Sequence, residues 1–175
     1  MVWLCASTAV AAQPTVETTV QAHATTLSSL PKHTYFDTDS FELYVDNCAS
    51  RCITNDLRDF VDTPVPADVK IYGTNGTSSG TLMGTVEWPI EDDSGRVHRI
   101  RIPRTIYSEG NRSKLLSPQH WSQEANDRSP VRNGTWCATL DDRIILFWDQ
   151  QQYKKTAYLL PNRTNVGIIR SAHGT

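Results

Sequence analysis

The chain has 175 residues, 38% apolar and 21% charged, which suits one globular domain with a sizeable core and a tail. Its formal net charge is -2, with both signs interspersed, so no basic stripe forms and direct nucleic-acid binding is not expected. No apolar run approaches the ~20 residues that a membrane-spanning helix needs, so no membrane contact is expected.

The first twelve residues carry Val2-Trp3-Leu4-Cys5-Ala6 and end in small side chains, a weak likeness to a signal h-region that lacks a positively charged n-region. Four Asn-x-Ser/Thr triplets, at Asn75, Asn111, Asn133 and Asn162, keep a secreted β-rich glycoprotein as an alternative. Residues 13 to 34 are mostly Thr, Ser, Ala, Gln and Pro, with too little apolar surface to order themselves. Residues 1 to 34 are therefore read as a disordered or linker segment, with structure expected to begin near Tyr35.

From there the pattern is that of strands. Phe41-Glu42-Leu43-Tyr44-Val45 alternates and breaks at the polar turn Asp46-Asn47. Val69-Lys70-Ile71-Tyr72 predicts a strand running into a Gly-rich stretch from Gly73 to Gly80, read as a flexible hairpin tip. Residues 81 to 91 form the return strand, and Asp92-Asp93-Ser94-Gly95 turns the chain into Val97-His98-Arg99-Ile100-Arg101-Ile102. Pro103 is expected to end that strand. Lys114-Leu115-Leu116-Ser117 is a short apolar segment ahead of Pro118-Gln119-His120-Trp121, a helix start with proline in its first turn. Arg143-Ile144-Ile145-Leu146-Phe147-Trp148 and Thr156-Ala157-Tyr158-Leu159-Leu160 predict a second hairpin. The chain stops at Ser171-Ala172-His173-Gly174-Thr175 without a cap, an ending expected of a piece of something longer. Many short strands and one short helix predict a mainly β, closed or partly open barrel.

Cys5, Cys48, Cys52 and Cys137 do not have the spacing of a disulfide scaffold. A zinc site built from Cys48, Cys52 and Cys137 with His98 or His120 would lack a CxxC knuckle, so buried thiols are preferred and no metal is expected. Asp46, where an apolar strand breaks into small residues, sits where a rigid sheet can present a carboxylate. A turn-forming Asp-Asn pair is the plainer reading of that position. Asp93-Ser94-Gly95 also contains an aspartate, but Glu91, Asp92 and Arg96 surround it, which marks a hairpin turn.

The order of these elements resembles the retropepsin layout. The closest likeness is to the protease region of Copia-type retrotransposon Gag-Pol polyproteins, carried by Phe36 to Phe41, Val45-Asp46-Asn47-Cys48-Ala49-Ser50 and Leu115-Leu116-Ser117-Pro118-Gln119-His120-Trp121. It extends from residue 36 to about 170. The resemblance implies a retropepsin-like barrel over residues 35 to 125, followed by a β-rich extension over 126 to 175 toward an integrase region. It implies an aspartic endopeptidase acting on a polyprotein in a cytoplasmic virus-like particle, without a cofactor. Two copies of the chain would each supply one aspartate, Asp46, because two carboxylates about 3 Å apart share one proton and activate water together. Asn47, Cys48 and Ala49 would complete the active loop, and Leu115 and Leu116 would pack beneath it. Gly73, Thr74, Asn75, Gly76 and Gly80 would belong to a flap over the substrate. The family loop reads Asp-Ser/Thr-Gly, whereas this chain has Asp46-Asn47-Cys48. The Asn amide can supply hydrogen bonds in place of the hydroxyl, but Cys48 adds a side chain where glycine allows close approach. A catalytically silent module or decayed element fragment is the alternative.

Overall fold

The computed structural model describes residues 20–21, 40–73, 76–129, 133–160 and 165–172. Among the described residues, eleven strands form one curled, half-barrel sheet with one short α-helix. In chain order the strands are β1 (Val20–Gln21), β2 (Glu42–Asp46), β3 (Ile53–Thr54), β4 (Val65–Gly73), β5 (Gly76–Glu91) and β6 (Val97–Tyr107). They continue as β7 (Lys114–Leu116), β8 (Trp136–Thr139), β9 (Arg143–Trp148), β10 (Tyr153–Leu159) and β11 (Val166–Arg170), with α1 (Pro118–Ala125) between β7 and β8. Across the sheet the order is β1-β4-β5-β6-β3-β7-β2-β11-β10-β9-β8.

Strand β2 follows the expected alternation, with Leu43 and Val45 fully buried and Glu42 exposed. Its core face meets Trp88 and Ile90 of β5, Ile102 of β6, Leu116 of β7 and Ile144 and Leu146 of β9 in one apolar cluster. Curling brings distant strands together. Ile90 of β5 bridges Ser171 just after β11, and the Ala172 amide donates to the Pro89 carbonyl at 2.9 Å.

The Gly-rich stretch departs from expectation. Pairing between β4 and β5 runs from Val69–Gly80 to Gly73–Gly76, so residues 76 to 80 belong to a strand rather than an open tip. Ladder hydrogen bonds to β4 outweigh glycine's loop preference there. Thr74 and Asn75 lie outside the described residues. The segment read as linker contributes Val20–Gln21, parallel to Ile71–Tyr72 on the outer edge of β4. The remainder of residues 1 to 39 lies outside the description.

Pro103 does not end its strand. β6 continues to Tyr107, and the register jumps so that Thr85 alone faces Pro103 and Arg104. Proline has no ladder N–H to give, and this β-bulge accommodates it, with Arg104 at φ 54.

Helix α1 begins as the sequence implies. Ser117 is the N-cap, its Oγ accepting from the His120 amide, and Pro118 occupies the first turn. Asn126 ends the helix in the left-handed conformation at φ 47. The second hairpin forms as expected from β9 and β10. Strands β8 and β11 were not anticipated. β8 pairs with β9, while β11 lies between β10 and β2. The region beyond residue 125 is thus continuous with the sheet that carries Asp46.

Candidate active site

Asp46 is the last residue of β2. The chain turns immediately afterwards, the Ala49 amide donating to the Asp46 carbonyl at 3.3 Å. The Cys48 amide donates to Asp46 Oδ1 at 2.8 Å, a local side-chain bond that favours a turn over further strand. An accessible carboxylate was expected here. Instead Asp46 is only 1% exposed. Val166 of β11 pairs opposite Asp46, and β11 follows β2 back to Arg170 opposite Glu42.

Beneath the turn, β7 threads between the strands that enter and leave it. It runs parallel to β2, with Tyr44 opposite Leu115 and Val45 opposite Leu116, and antiparallel to β3 at Ile53–Leu115. Successive strand residues point to opposite faces, so the two leucines serve different clusters. Leu116 enters the main core beside Val45. Leu115 joins Ala49, Ile53 and Ile106 in a second cluster that also holds Val69 and Ile71 of β4. The turn is thereby packed against the base of the β4–β5 hairpin, which the resemblance treats as the flap. The loop-support residues and this hairpin base therefore converge.

Polar ties hold the same turn. Ser117 Oγ, fully buried, donates to the Ala49 carbonyl at 2.5 Å. The Cys52 amide donates to His120 Nδ1 at 3.1 Å, which makes Nδ1 the acceptor and places the neutral ring's proton on Nε2. That nitrogen lies 3.5 Å from Glu124 and 3.3 Å from Arg51. Burial, reinforced by the Arg51 charge, pushes the His120 pKa down to about 4. On the other side, Asn47 Nδ2 donates to Thr139 Oγ1 at 2.5 Å, and Cys137 Sγ lies 3.8 Å from Asn47 Oδ1. The Asn47 amide therefore clasps the loop to β8.

The thiols differ in setting. Cys48 is exposed, Cys137 is half-buried and Cys52 is fully buried. Burial pushes the Cys52 pKa up to about 12 and raises that of Cys137. Among the described residues no group of three or more His, Cys, Asp or Glu side chains could hold a metal.

A second polar cluster had no local signature in the sequence. Asp59, 8% exposed, accepts from Lys114 Nζ at 2.6 Å, Thr54 Oγ1 at 2.5 Å and the Trp88 indole N–H at 3.0 Å. Lys114 Nζ also sits 3.7 Å from the centre of the Phe41 ring. All these groups are satisfied by one another, which is the arrangement of a structural tie.

Asp93 lies where a hairpin-turn residue belongs. Its carboxylate accepts from the Thr156 amide at 2.9 Å and the Thr156 hydroxyl at 2.8 Å, pinning the turn to β10. Gly95 supplies the φ of 88° that this turn requires. A cavity lined by Ser122, Arg128, Asn133, Gly134, Thr135 and Trp136 lies beside α1. No described helix is long and apolar enough to cross a membrane.

No protein-family model matches the chain, no curated protein matches its sequence and no solved structure matches its fold.

Proposed function

We propose that this chain is a retropepsin-like aspartic endopeptidase of Copia type, active as a homodimer on a polyprotein, with Asp46 as the catalytic carboxylate. The observation that carries this reading is the threading of β7 between β2 and β3, with Leu115 under Ala49 and Ser117 bonded to its carbonyl. A carboxylate at the end of a core strand, on a turn held from below by apolar packing and hydrogen bonds, is positioned with little freedom. Two such turns meeting about a two-fold axis would supply the paired carboxylates that acid–base peptide hydrolysis needs. One member activates water while the other, protonated, donates to the scissile carbonyl oxygen. The β4–β5 hairpin, whose base packs on Ala49 and Leu115, would close over the peptide.

The burial of Asp46 favours a second reading, a retropepsin-like module that does no chemistry. Cleavage of an inactive precursor supplied in trans separates the two, scored by fragment size. The peptidase reading expects cleavage by the wild type, none by Asp46→Asn and nearly full cleavage by Asp93→Asn. Failure of both wild type and Cys48→Gly to cleave would leave the silent module.

A further inference from the structure

We infer that Lys114 is a positioning residue that sets the register of β7, and through β7 the seat of the Asp46 turn. The register follows from packing and charge alone, and only its bearing on catalysis rests on the reading of Asp46 given above. β7 is three residues long, and two of them are leucines. Leu115 fills the second cluster with Ala49, Ile53 and Ile106, while Leu116 fills the main core. A slip of one residue exchanges the two faces of a strand. With leucine beside leucine, such a slip still delivers a leucine to one of the two sites, so apolar packing there separates the registers only weakly. Discrimination falls to the flanking residues, and both are polar.

Lys114 is 8% exposed. Its Nζ lies 2.6 Å from Asp59 Oδ1, 3.6 Å from Asp56 Oδ2 and 3.7 Å from the centre of the Phe41 ring. The Asp59 carboxylate is itself fixed, accepting from Thr54 Oγ1 at the end of β3 and from the Trp88 indole in the core. The cation is thus received at one place along β7. An advance of one residue, about 3.3 Å, would carry Lys114 into the Leu115 site, among Ala49, Ile53, Val69, Ile71 and Ile106. A retreat of one residue would set Leu115 against Asp59 instead. Either slip separates two buried charges, and an ion pair that adds little net stability over apolar residues still penalises every arrangement that parts its members. Ser117 is the second stop, through its hydrogen bond to the Ala49 carbonyl. A neutral hydrogen bond holds more weakly than a buried pair resists being split, so Lys114 decides.

Moving the cation tests this. In the full-length chain carrying both Ser113→Lys and Lys114→Leu, three leucines follow a lysine, so both leucine sites are filled in either register. Pairing of the transplanted lysine with Asp59 then requires β7 to advance by one residue against the hold of Ser117. Folding is checked by circular dichroism, and the register is read from nuclear Overhauser contacts between labelled leucine methyl groups and Ile53. In the wild type Leu115 should make that contact. In the variant the leucine at position 114 should make it in most molecules, and a folded variant in which Leu115 alone still meets Ile53 overturns the inference. If that variant does not fold, Lys114→Met with Asp59→Asn removes both charges and keeps an acceptor for Thr54 and Trp88. With Ser117 as the only stop, the Leu115 and Leu116 amides should exchange about tenfold faster relative to those of β9. Unchanged relative rates overturn the inference equally. Neither readout needs turnover, so a shifted register with undiminished precursor cleavage would uphold Lys114 as the stop and take the Asp46 turn out of the chemistry.

Discussion

Ser117 joins the turn at Asp46 to helix α1, and its removal should be felt at both ends. Its Oγ is fully buried, donates to the Ala49 carbonyl at 2.5 Å and accepts from the His120 amide at 3.2 Å as N-cap. Ser117→Ala deletes the cap, at a cost of about 1 kcal/mol. It also strands a buried carbonyl, since Ala49 is only 2% exposed, at a cost of about 1–3 kcal/mol. The expected total is about 2–4 kcal/mol of lost stability in urea unfolding. Ser117→Gly separates the two terms, because glycine at an N-cap costs only a few tenths of a kcal/mol, so this variant should retain the loop term and lose most of the cap term. Hydrogen exchange should show the Cys48 and Ala49 amides accelerated in both variants, well beyond any change at β9. A Ser117→Ala loss below about 1 kcal/mol, with the loop amides unchanged, would refute the claim that this serine secures the turn.

Three further outcomes follow from the geometry. His120 has a pKa of about 4 in the folded chain against an ordinary 6.5, so the unfolded chain binds the extra proton first as pH falls. Stability should be full above pH 6.5 and fall by about 3 kcal/mol toward pH 4, a slope that His120→Gln should flatten in denaturation measured across that range. Lys114→Met leaves the Asp59 carboxylate buried without its counter-ion and should cost about 3–5 kcal/mol, whereas adding Asp59→Asn should recover part of that loss in a double-mutant cycle. Under native conditions an aromatic disulfide reagent should modify exposed Cys48 readily and leave Cys52, buried with a pKa of about 12, untouched until the chain unfolds. Equal rates for the two thiols would contradict the placement of the loop.

Local signals carried much of the fold. The alternation of Phe41 to Val45, the break at Asp46, and Pro118 in a first helical turn depend on neighbours in sequence, and all reappear in the structure. What escaped depends on partners far along the chain. Residues 76 to 80 are the exception: their β4 partners lie only three to eleven residues back, and their Gly and Ser content alone made them read as loop. Pro103 read as a terminator because the bulge that rescues it needs Thr85 on the opposite strand. Val166-Gly167-Ile168-Ile169 is a short run without period, and only the open edge of β2 makes it a strand. The same omission explains the site. The Asp46 turn and its support by Leu115 and Leu116 were legible, but the burial of Asp46 and its pairing with Val166, 120 residues later, were not. The Asp59–Lys114 pair, 55 residues apart, was likewise invisible to any local pattern.

The central claim is that each of two chains contributes one Asp46 to a shared site, and mixing the chains tests it most directly. Wild type is held at a fixed concentration at which sedimentation shows it fully dimeric while Asp46→Asn is added, and cleavage of an inactive precursor is followed by fragment size. Mixed dimers lack one carboxylate, so the rate should fall to about half at equal amounts and to about a tenth at tenfold excess. A wild-type rate that stays constant throughout the titration would contradict the shared site.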